Sequence, residues 1–116
     1  LGVQTCALPI CADMEIDLGA EKIIAAERGE QKIAVEIKSF IGTSNISDFH
    51  TAVGQFINYR IALEERQPDR ILYLAVPIGV HSKFFMLPFV QTVIKRFQII
   101  LIIYDPVSEV ILEWKN

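Results

Sequence analysis

Three charged residues stand at spacings typical of a metal-dependent phosphodiester site. Glu36 and Lys38 lie two residues apart in an alternating strand pattern, and Asp17 lies in an earlier segment with the same alternation. Residues two apart in a strand share one face of a sheet. Two carboxylates held close together repel unless a hard cation lies between them, and Mg²⁺ prefers such oxygen ligands. The three residues are therefore candidates for a magnesium site on neighbouring strands.

Each residue of this set has an expected role. The Asp17 and Glu36 carboxylates and the backbone carbonyl of Ile37 would bind Mg²⁺, which keeps water ligands for attack on a phosphodiester. Lys38 would orient or activate that water and stabilise the charge that develops on the phosphate. The alternative is an ordinary surface ion pair between Glu36 and Lys38 on a two-sided strand. Periodicity alone favours this alternative, because Glu-x-Lys is common in strands.

Two polar residues of a predicted long helix are candidates for supporting the site. Gln55 and Tyr59 are four residues apart and share one helix face. In a functional role, they would face the metal site or a nucleic-acid backbone. In a structural role, they would form a boundary pair at the edge of the apolar helix face, with Tyr59 half-buried and its hydroxyl in water. The pattern alone favours the boundary pair. His50 is expected to be neutral and exposed near a helix N-terminus, and His81, at the start of the next helix, is a weaker candidate for a ligand contact.

Composition excludes several classes of protein. The chain has 116 residues, of which 52% are hydrophobic and 22% charged, and this balance predicts one folded domain rather than disorder. Its net charge of −3 argues against tight, unaided DNA binding. The basic residues are scattered and predict a solvated surface rather than a DNA-binding stripe. They include Arg60, Lys83, Lys95 and Arg96.

Other kinds of site and a membrane segment are not indicated. Cys6 and Cys11 have no neighbouring Cys or His pair, so a zinc site is not expected. The sequence shows neither a Ser-His-Asp order nor a Gly-rich phosphate loop. No apolar run approaches the roughly 18 residues that cross a bilayer, and the predicted location is the cytoplasm.

Periodicity predicts the element order β-β-β-α-β-α-β-β and a mixed sheet. The run of apolar residues at 71–76 predicts a central strand covered on both faces. Ser47 is the expected N-cap of the long helix, Gly54 within it suggests close packing, and Pro88 is expected to interrupt the second helix. The predicted strands are 14–18, 21–28, 32–38, 70–77, 98–104 and 109–114, and the predicted helices are 48–66 and 80–96.

The first residues do not follow this pattern. Residues 2–10 are similar to the translation of a sequencing-library adapter, and they carry no charge and no clear period. Residues 1–11 are therefore interpreted as a non-native segment, and the domain is expected to occupy residues 12–116.

Several separated motifs together resemble one family. They are IDLGAEKIIAAE at 16–27, KIAVEIKSF at 32–40, ISDF at 46–49, AVGQF at 52–56 and LYLAVP at 72–77. The combination strongly resembles the XisH family, the fdxN-element excision controlling factors found mainly in cyanobacteria. The resemblance covers essentially residue 17 to the C-terminus.

This resemblance implies a restriction-endonuclease-like fold of the PD-(D/E)XK superfamily, an α/β fold with a mixed sheet flanked by helices. Asp17 then corresponds to the metal-binding aspartate, Glu36 and Lys38 to the E-x-K pair, and Gln55 and Tyr59 to a Q-x-x-x-Y helix. Relatives begin with a helix before the first strand, and that helix is expected to be missing here.

The resemblance also implies a function. The family is an accessory to site-specific excision of a genomic DNA element, and its nuclease-like site would act on DNA phosphodiesters with Mg²⁺. The alternative is a non-catalytic scaffold that acts with an XisI-like protein partner and a recombinase. A fold and its site residues can persist in a binding role, so both functions stay open.

Overall fold

One mixed sheet organises the molecule. The computed structural model describes residues 14–18 and 21–115. Within these residues, six strands lie side by side in the order of the chain. The strands are β1 (Met14–Leu18), β2 (Glu21–Arg28), β3 (Gln31–Ile37), β4 (Ile71–Pro77), β5 (Leu101–Asp105) and β6 (Val110–Lys115).

The sheet changes direction at two points. β1, β2 and β3 form an antiparallel meander, β3, β4 and β5 are parallel, and β6 is antiparallel to β5. Gly29 turns the chain between β2 and β3 with a φ of 62°, a left-handed conformation that glycine adopts without strain. The predicted hairpin at this position is confirmed.

Helices make the crossovers that parallel strands require. α1 (Asn45–Arg66) connects β3 to β4. The β4–β5 connection contains α2 (Ile78–His81), a 3₁₀ turn (Phe84–Met86) and α3 (Pro88–Arg96). The predicted element order is therefore confirmed. The second predicted helix is divided into three short pieces, and the interruption expected near Pro88 is confirmed. Pro88 is the first residue of α3, because its fixed φ suits the first turn of a helix.

Both faces of the central strands are buried. On one face, alternate strand residues pack against the buried side of α1, which carries Phe49, Ala52, Phe56, Tyr59 and Leu63. On the opposite face a second cluster contains Ala26, Ile33, Val35, Tyr73, Ala75 and Ile102. We call the first of these the helix-covered face.

The two-sided burial confirms one prediction and corrects another. β4 is buried from Leu72 onward, as its continuous apolar run predicts. β3 was expected to be buried on one face only, but Ala34 and Glu36 are buried as well as Ile33 and Val35. The reason is that α1 lies over the face that carries the polar residues of β3.

Two expectations about α1 are wrong. The N-cap is Ser44 rather than Ser47, because the Ser44 hydroxyl oxygen accepts a hydrogen bond from the Ser47 backbone N–H at 3.2 Å. The helix therefore begins three residues earlier than predicted, at Asn45. Gly54 is exposed, and a Cβ added there would meet nothing within 4 Å, so close packing does not explain this glycine.

No helix in the described ranges is long and apolar enough to span a membrane. The adapter-like segment lies outside the described residues, and so does the position of the N-terminal helix that is expected to be missing.

Candidate functional site

The predicted E-x-K pair lies at the carboxyl end of a parallel strand. Glu36 is the penultimate residue of β3, and Lys38 follows that strand directly. The Lys38 backbone N–H donates to the Ala75 carbonyl oxygen at 3.0 Å, so the β3–β4 ladder continues through this residue. Lys38 Nζ lies 3.7 Å from Glu36 Oε2. The two side chains therefore share the helix-covered face, as their spacing predicts.

Burial distinguishes this pair from a surface ion pair. The Glu36 side chain is 6% exposed, whereas the Lys38 side chain is 28% exposed. A buried carboxylate is costly to desolvate and is normally held by cations or hydrogen-bond donors. The pair thus presents a buried negative group whose cationic neighbour reaches solvent, an arrangement suited to binding a metal ion beside a polar substrate.

The strand register separates Asp17 from this pair. Asp17 pairs with Lys22, between the pairs Ile16–Ile23 and Leu18–Glu21. Ile16 and Ile23 both belong to the core cluster on the helix-covered face. Because successive strand positions alternate between faces, position 17 lies on the other face of the sheet. The register therefore does not bring position 17 onto the face that carries Glu36.

The same register brings a different carboxylate-bearing position to that face. Ile24 pairs with Val35, so Ile23 and Glu36 are next in the ladder, and position 21 lies two residues from Ile23 on the same face. Glu21 is not among the site residues predicted from the sequence. Two features of the sequence could have identified it. Glu21 alternates with Ile23, and the length of the following hairpin sets which positions share the face of Glu36. The side chains of residues 17 and 21 lie outside those that the structure describes.

The two polar residues of α1 differ from the expected boundary pair. Tyr59 is only 8% exposed and belongs to the core on the helix-covered face. Gln55 Oε1 is also buried, and no described residue donates a hydrogen bond to it. An unsatisfied buried polar atom costs about 1–3 kcal/mol. Gln55 therefore offers a buried hydrogen-bond acceptor on the side of α1 that faces the sheet.

A small cavity adjoins Lys38. It measures about 190 Å³ and is lined by Lys38, Ser39, Phe40, Ile41, Gly42, Asp48 and Thr51. Asp48 Oδ2 accepts a hydrogen bond from the Gly42 backbone N–H at 3.1 Å. This cavity lies where the loop after β3 meets the first turns of α1. Sequence reasoning assigned Asp48 only to the helix dipole and did not identify the cavity, because its walls meet only in the folded chain.

The backbone beside this cavity holds an uncommon conformation. Phe40 has a φ of 54°, and its buried ring packs edge-on against Phe85 at a centroid distance of 5.5 Å. A non-glycine residue in the left-handed region is strained and often lies at a functional site. The packing of the Phe40 ring holds the strained loop in place immediately after Lys38.

The described side chains supply only part of a metal site. No group of three or more His, Cys, Asp or Glu residues in the described ranges is placed to hold a metal ion. The Glu36 carboxylate and the Ile37 carbonyl are oxygen donors of the kind that Mg²⁺ prefers. These donors fit the expected ion provided that a further carboxylate comes from the β1–β2 hairpin.

The histidines and the basic residues do not extend the site. His50 is exposed, as predicted. His81 ends α2 instead of starting a helix and is buried. Burial lowers the pKa of His81, Lys115 lowers it further, and Glu113 opposes that shift. Arg60 was expected to be a solvated surface residue, but its guanidinium donates to the carbonyl oxygens of Phe97 at 2.8 Å and Gln98 at 3.2 Å, beyond the last turn of α3.

Comparison with known proteins agrees with the resemblance seen in the sequence. The family model described as XisH protein matches residues 7–112. A crystal structure of an XisH family protein from Nostoc punctiforme is 46% identical, with a TM-score of 0.85, and the match covers 99% of this chain and 98% of that chain. None of the curated proteins matches the chain.

A second solved structure is similar over most of its length. It is a fdxN element excision controlling factor protein from Anabaena variabilis, 50% identical, with a TM-score of 0.81 over 92% of this chain and 86% of that chain. The family model covers most of the chain, and both structures exceed the identity at which only a fold is shared. The chain therefore belongs to the XisH family.

Proposed function

We propose that this protein is an accessory or controlling factor for site-specific excision of a genomic DNA element and carries a nuclease-like Mg²⁺ site. The relative from Anabaena variabilis, at 50% identity, is a fdxN element excision controlling factor protein, which supports the first part. The nuclease-like site is supported by the E-x-K pair at the end of β3, if the mixed sheet is interpreted as a restriction-endonuclease-like fold. The proposed location is the cytoplasm.

One observation carries the proposal. Glu36 is buried beside a partly exposed Lys38 at a distance of 3.7 Å, at the carboxyl end of two parallel strands. Ligands of open α/β sheets commonly bind beyond the carboxyl ends of the strands. A buried carboxylate at that edge can hold a cation. An ion pair that only stabilised the fold would gain little from burial, because desolvation of the charges offsets their attraction.

The residues of the chain have distinct proposed roles. Glu36 and the Ile37 carbonyl hold Mg²⁺, which when bound supplies Lewis-acid stabilisation of a phosphodiester and a water of lowered pKa. Lys38 positions the attacking water and stabilises negative charge on the phosphate. Gln55, whose Oε1 is buried, orients a water or a substrate group, and Tyr59 supports the helix that carries it.

The second carboxylate comes from the first hairpin. Asp17 is the residue that the family pattern suggests, whereas the register favours Glu21 because position 21 shares the face of Glu36. Asp17→Asn and Glu21→Gln keep the size of each side chain and remove its charge. Comparing the two variants therefore identifies the ligand without creating a cavity.

The test is Mg²⁺-dependent nicking of supercoiled plasmid. Glu36→Gln and Lys38→Met should each lower the rate by at least about 100-fold, in the range for loss of a positioned catalytic group. Of Asp17→Asn and Glu21→Gln, the variant that removes the ligand should lose activity to a similar extent. Glu30→Gln, at an exposed turn position, is the control and should keep the full rate.

The outcome that contradicts catalysis is also defined. Cleavage that stays equal in the Glu36→Gln and Lys38→Met variants would come from a contaminant or another site. Absence of cleavage together with Mg²⁺ binding at Glu36 would leave a metal-stabilised binding protein. The nuclease part of the proposal would then be abandoned.

A second candidate function is a non-catalytic scaffold that acts with an XisI-like partner and a recombinase. The observation that favours it is the net charge of −3, which gives DNA no general electrostatic attraction. In this case the partner should co-purify equally with the parent chain and with Glu36→Gln. Failure to form a complex at micromolar concentration would argue against the scaffold.

A further inference from the structure

A second cavity lies between α3 and the strands β5 and β6, and it shares no lining residue with the cavity beside Lys38. Its volume is about 380 Å³. Pockets that bind small molecules commonly measure about 300–1,000 Å³ and combine apolar walls with a few convergent polar groups. This cavity is therefore large enough for a small organic ligand.

The lining of the cavity has an apolar part and a polar part. Ile94, Ile99 and Leu101 contribute apolar surface. The polar part contains His81, Lys95 and Lys115, with two glutamine side chains beside them. Such a division suits a ligand with one charged end and one apolar end.

His81 is the least expected member of this lining. It is 8% exposed, and its ring stacks on Phe85 at a centroid distance of 6.0 Å. No residue in the described part of the chain makes a hydrogen bond to the imidazole. Among the described residues, the buried side-chain polar atoms without a hydrogen-bond partner are Glu36 Oε1 and Gln55 Oε1. The His81 nitrogens are not among them, so the imidazole reaches the cavity that it lines, where a ligand can form a hydrogen bond with it.

The charges around this imidazole are mainly positive. Lys115 Nζ lies 3.1 Å from Glu113 Oε2, and the two side chains are 47% and 53% exposed. An exposed pair of this kind is weak and exchanges readily with other ions. Lys95 makes no ion pair with any residue in the described ranges. With two lysines and one glutamate, the mouth of the cavity is locally cationic in a chain whose net charge is −3.

We propose that this cavity binds a small organic anion with an apolar tail. The ammonium groups of Lys95 and Lys115 and the N–H of His81 hold a carboxylate or phosphate head. The tail lies against Ile94, Ile99 and Leu101. Carboxylate and phosphate are both compact oxyanions, and binding of matched probes with each head group distinguishes them.

The protonation state of His81 agrees with this geometry. Burial and the nearby Lys115 hold its pKa below the usual value, and Glu113 opposes the shift only in part. At neutral pH the ring is therefore uncharged and offers one N–H donor and one acceptor. The lysines supply the charge for an anion, and the imidazole supplies a directional hydrogen bond.

The test is calorimetric titration of the 116-residue chain with matched probes. Octanoate and octyl phosphate represent the two heads, octanol is the uncharged control, and inorganic phosphate tests the head alone. We expect at least one of the two anions to bind at least about tenfold more tightly than octanol, because charge-assisted hydrogen bonds exceed neutral ones in strength. Inorganic phosphate should bind more weakly than octyl phosphate, since it lacks the tail.

Variants assign the binding to these residues. Lys95→Gln and Lys115→Gln should each weaken binding of the preferred anion by about tenfold. Lys83→Gln is the matched control, because Lys83 is an exposed lysine that does not line the cavity. His81→Phe keeps an aromatic ring against Phe85 but removes the donor, and it should also weaken binding.

Two results would overturn the proposal. One is octanol binding as tightly as both anions with no effect of Lys95→Gln, which would describe a merely apolar cavity. The other is no heat of binding from any probe at millimolar concentration, with no shift of the unfolding temperature. If His81→Phe fails to fold, the two exposed lysine variants still decide the question, because neither contributes to the core.

Discussion

The Gly42 backbone N–H donates a hydrogen bond to the Asp48 carboxylate at 3.1 Å, which ties the loop after β3 to the first turns of α1. An added Cβ at position 42 would lie 2.7 Å from both carboxylate oxygens, too close for any real contact. Gly42→Ala should therefore displace Asp48, weaken this hydrogen bond and lower the free energy of unfolding by about 1 kcal/mol. Urea unfolding followed by circular dichroism measures the change.

Gly54, an exposed glycine within α1, provides the control for this substitution. A Cβ added at Gly54 would meet nothing within 4 Å. Gly54→Ala should raise the free energy of unfolding by about 0.5–1 kcal/mol, because alanine loses less backbone entropy in a helix interior. Equal effects of the two substitutions would show that space beside Asp48 does not matter.

Magnesium should stabilise the fold through Glu36. An ion that binds only the native state adds about 2.7 kcal/mol at a concentration 100 times its Kd. The unfolding temperature of the parent chain should therefore rise with Mg²⁺, and that of Glu36→Gln should not. Glu30→Gln, at an exposed turn position, should respond like the parent. A rise that persists in Glu36→Gln would place the ion elsewhere.

The strands and their order follow from the sequence because each strand carries its own pattern. The alternation in residues 31–37 and the continuous apolar run after Ile71 are local properties, and Gly29 marks the turn between β2 and β3. The pattern of one strand does not determine which other element packs on each face of the sheet. The burial of Glu36 depends on α1, so the alternation alone suggested an exposed ion pair.

The candidate site was predictable in part for the same reason. Glu36 lies in β3 and Lys38 directly follows that strand, and their spacing places them together. Which position of the β1–β2 hairpin shares the face of Glu36 depends on the strand register, and that register places position 21 rather than position 17 on this face. Ser47 was the expected cap, but the folded loop places Ser44 at that position, where its hydroxyl accepts from the Ser47 backbone N–H.

Arg70 joins two strands at the end of the sheet distant from Lys38. One guanidinium nitrogen donates to the carbonyl oxygens of Ala26 at 3.1 Å and Ile33 at 2.9 Å, and Nε donates to Gln67 at 2.6 Å. Arg70→Met removes all three bonds and should lower the free energy of unfolding by about 2–3 kcal/mol. Denaturant unfolding measures the loss.

The control for that experiment is another arginine without such bonds. Arg96→Met changes an exposed side chain and should alter the free energy of unfolding by less than about 0.5 kcal/mol. If Arg70→Met were equally neutral, the contacts to the strand carbonyls would contribute nothing to stability.

His81 should make stability depend on pH. Its pKa in the folded chain is below the value of 6.5 expected when unfolded, so the unfolded state binds more protons in that interval. The stabilisation is complete above about pH 6.5 and is lost as the pH falls through the folded pKa. Urea unfolding at about pH 7.5 and about pH 5.5 should show this loss, and His81→Phe should reduce it.

Neighbouring charges allow a second check on the same group. Glu113 opposes the lowering of the His81 pKa, and Lys115 contributes to it. Glu113→Gln should therefore extend the acid loss of stability to lower pH and make it larger, whereas Lys115→Gln should end the loss at a higher pH and make it smaller. Identical curves in all three proteins would show that another group titrates.

The strand order of the sheet has a consequence for how the chain folds. Each strand pairs only with the strands before and after it in the sequence, from β1 to β6. Loop closure therefore joins only elements that follow one another along the chain, and the largest closure spans α1 between β3 and β4. The antiparallel pairs close over short turns, whereas the two parallel pairs must wait for their helical crossovers. The β2–β3 hairpin, with its tight glycine turn, is the natural starting point for assembly of the sheet.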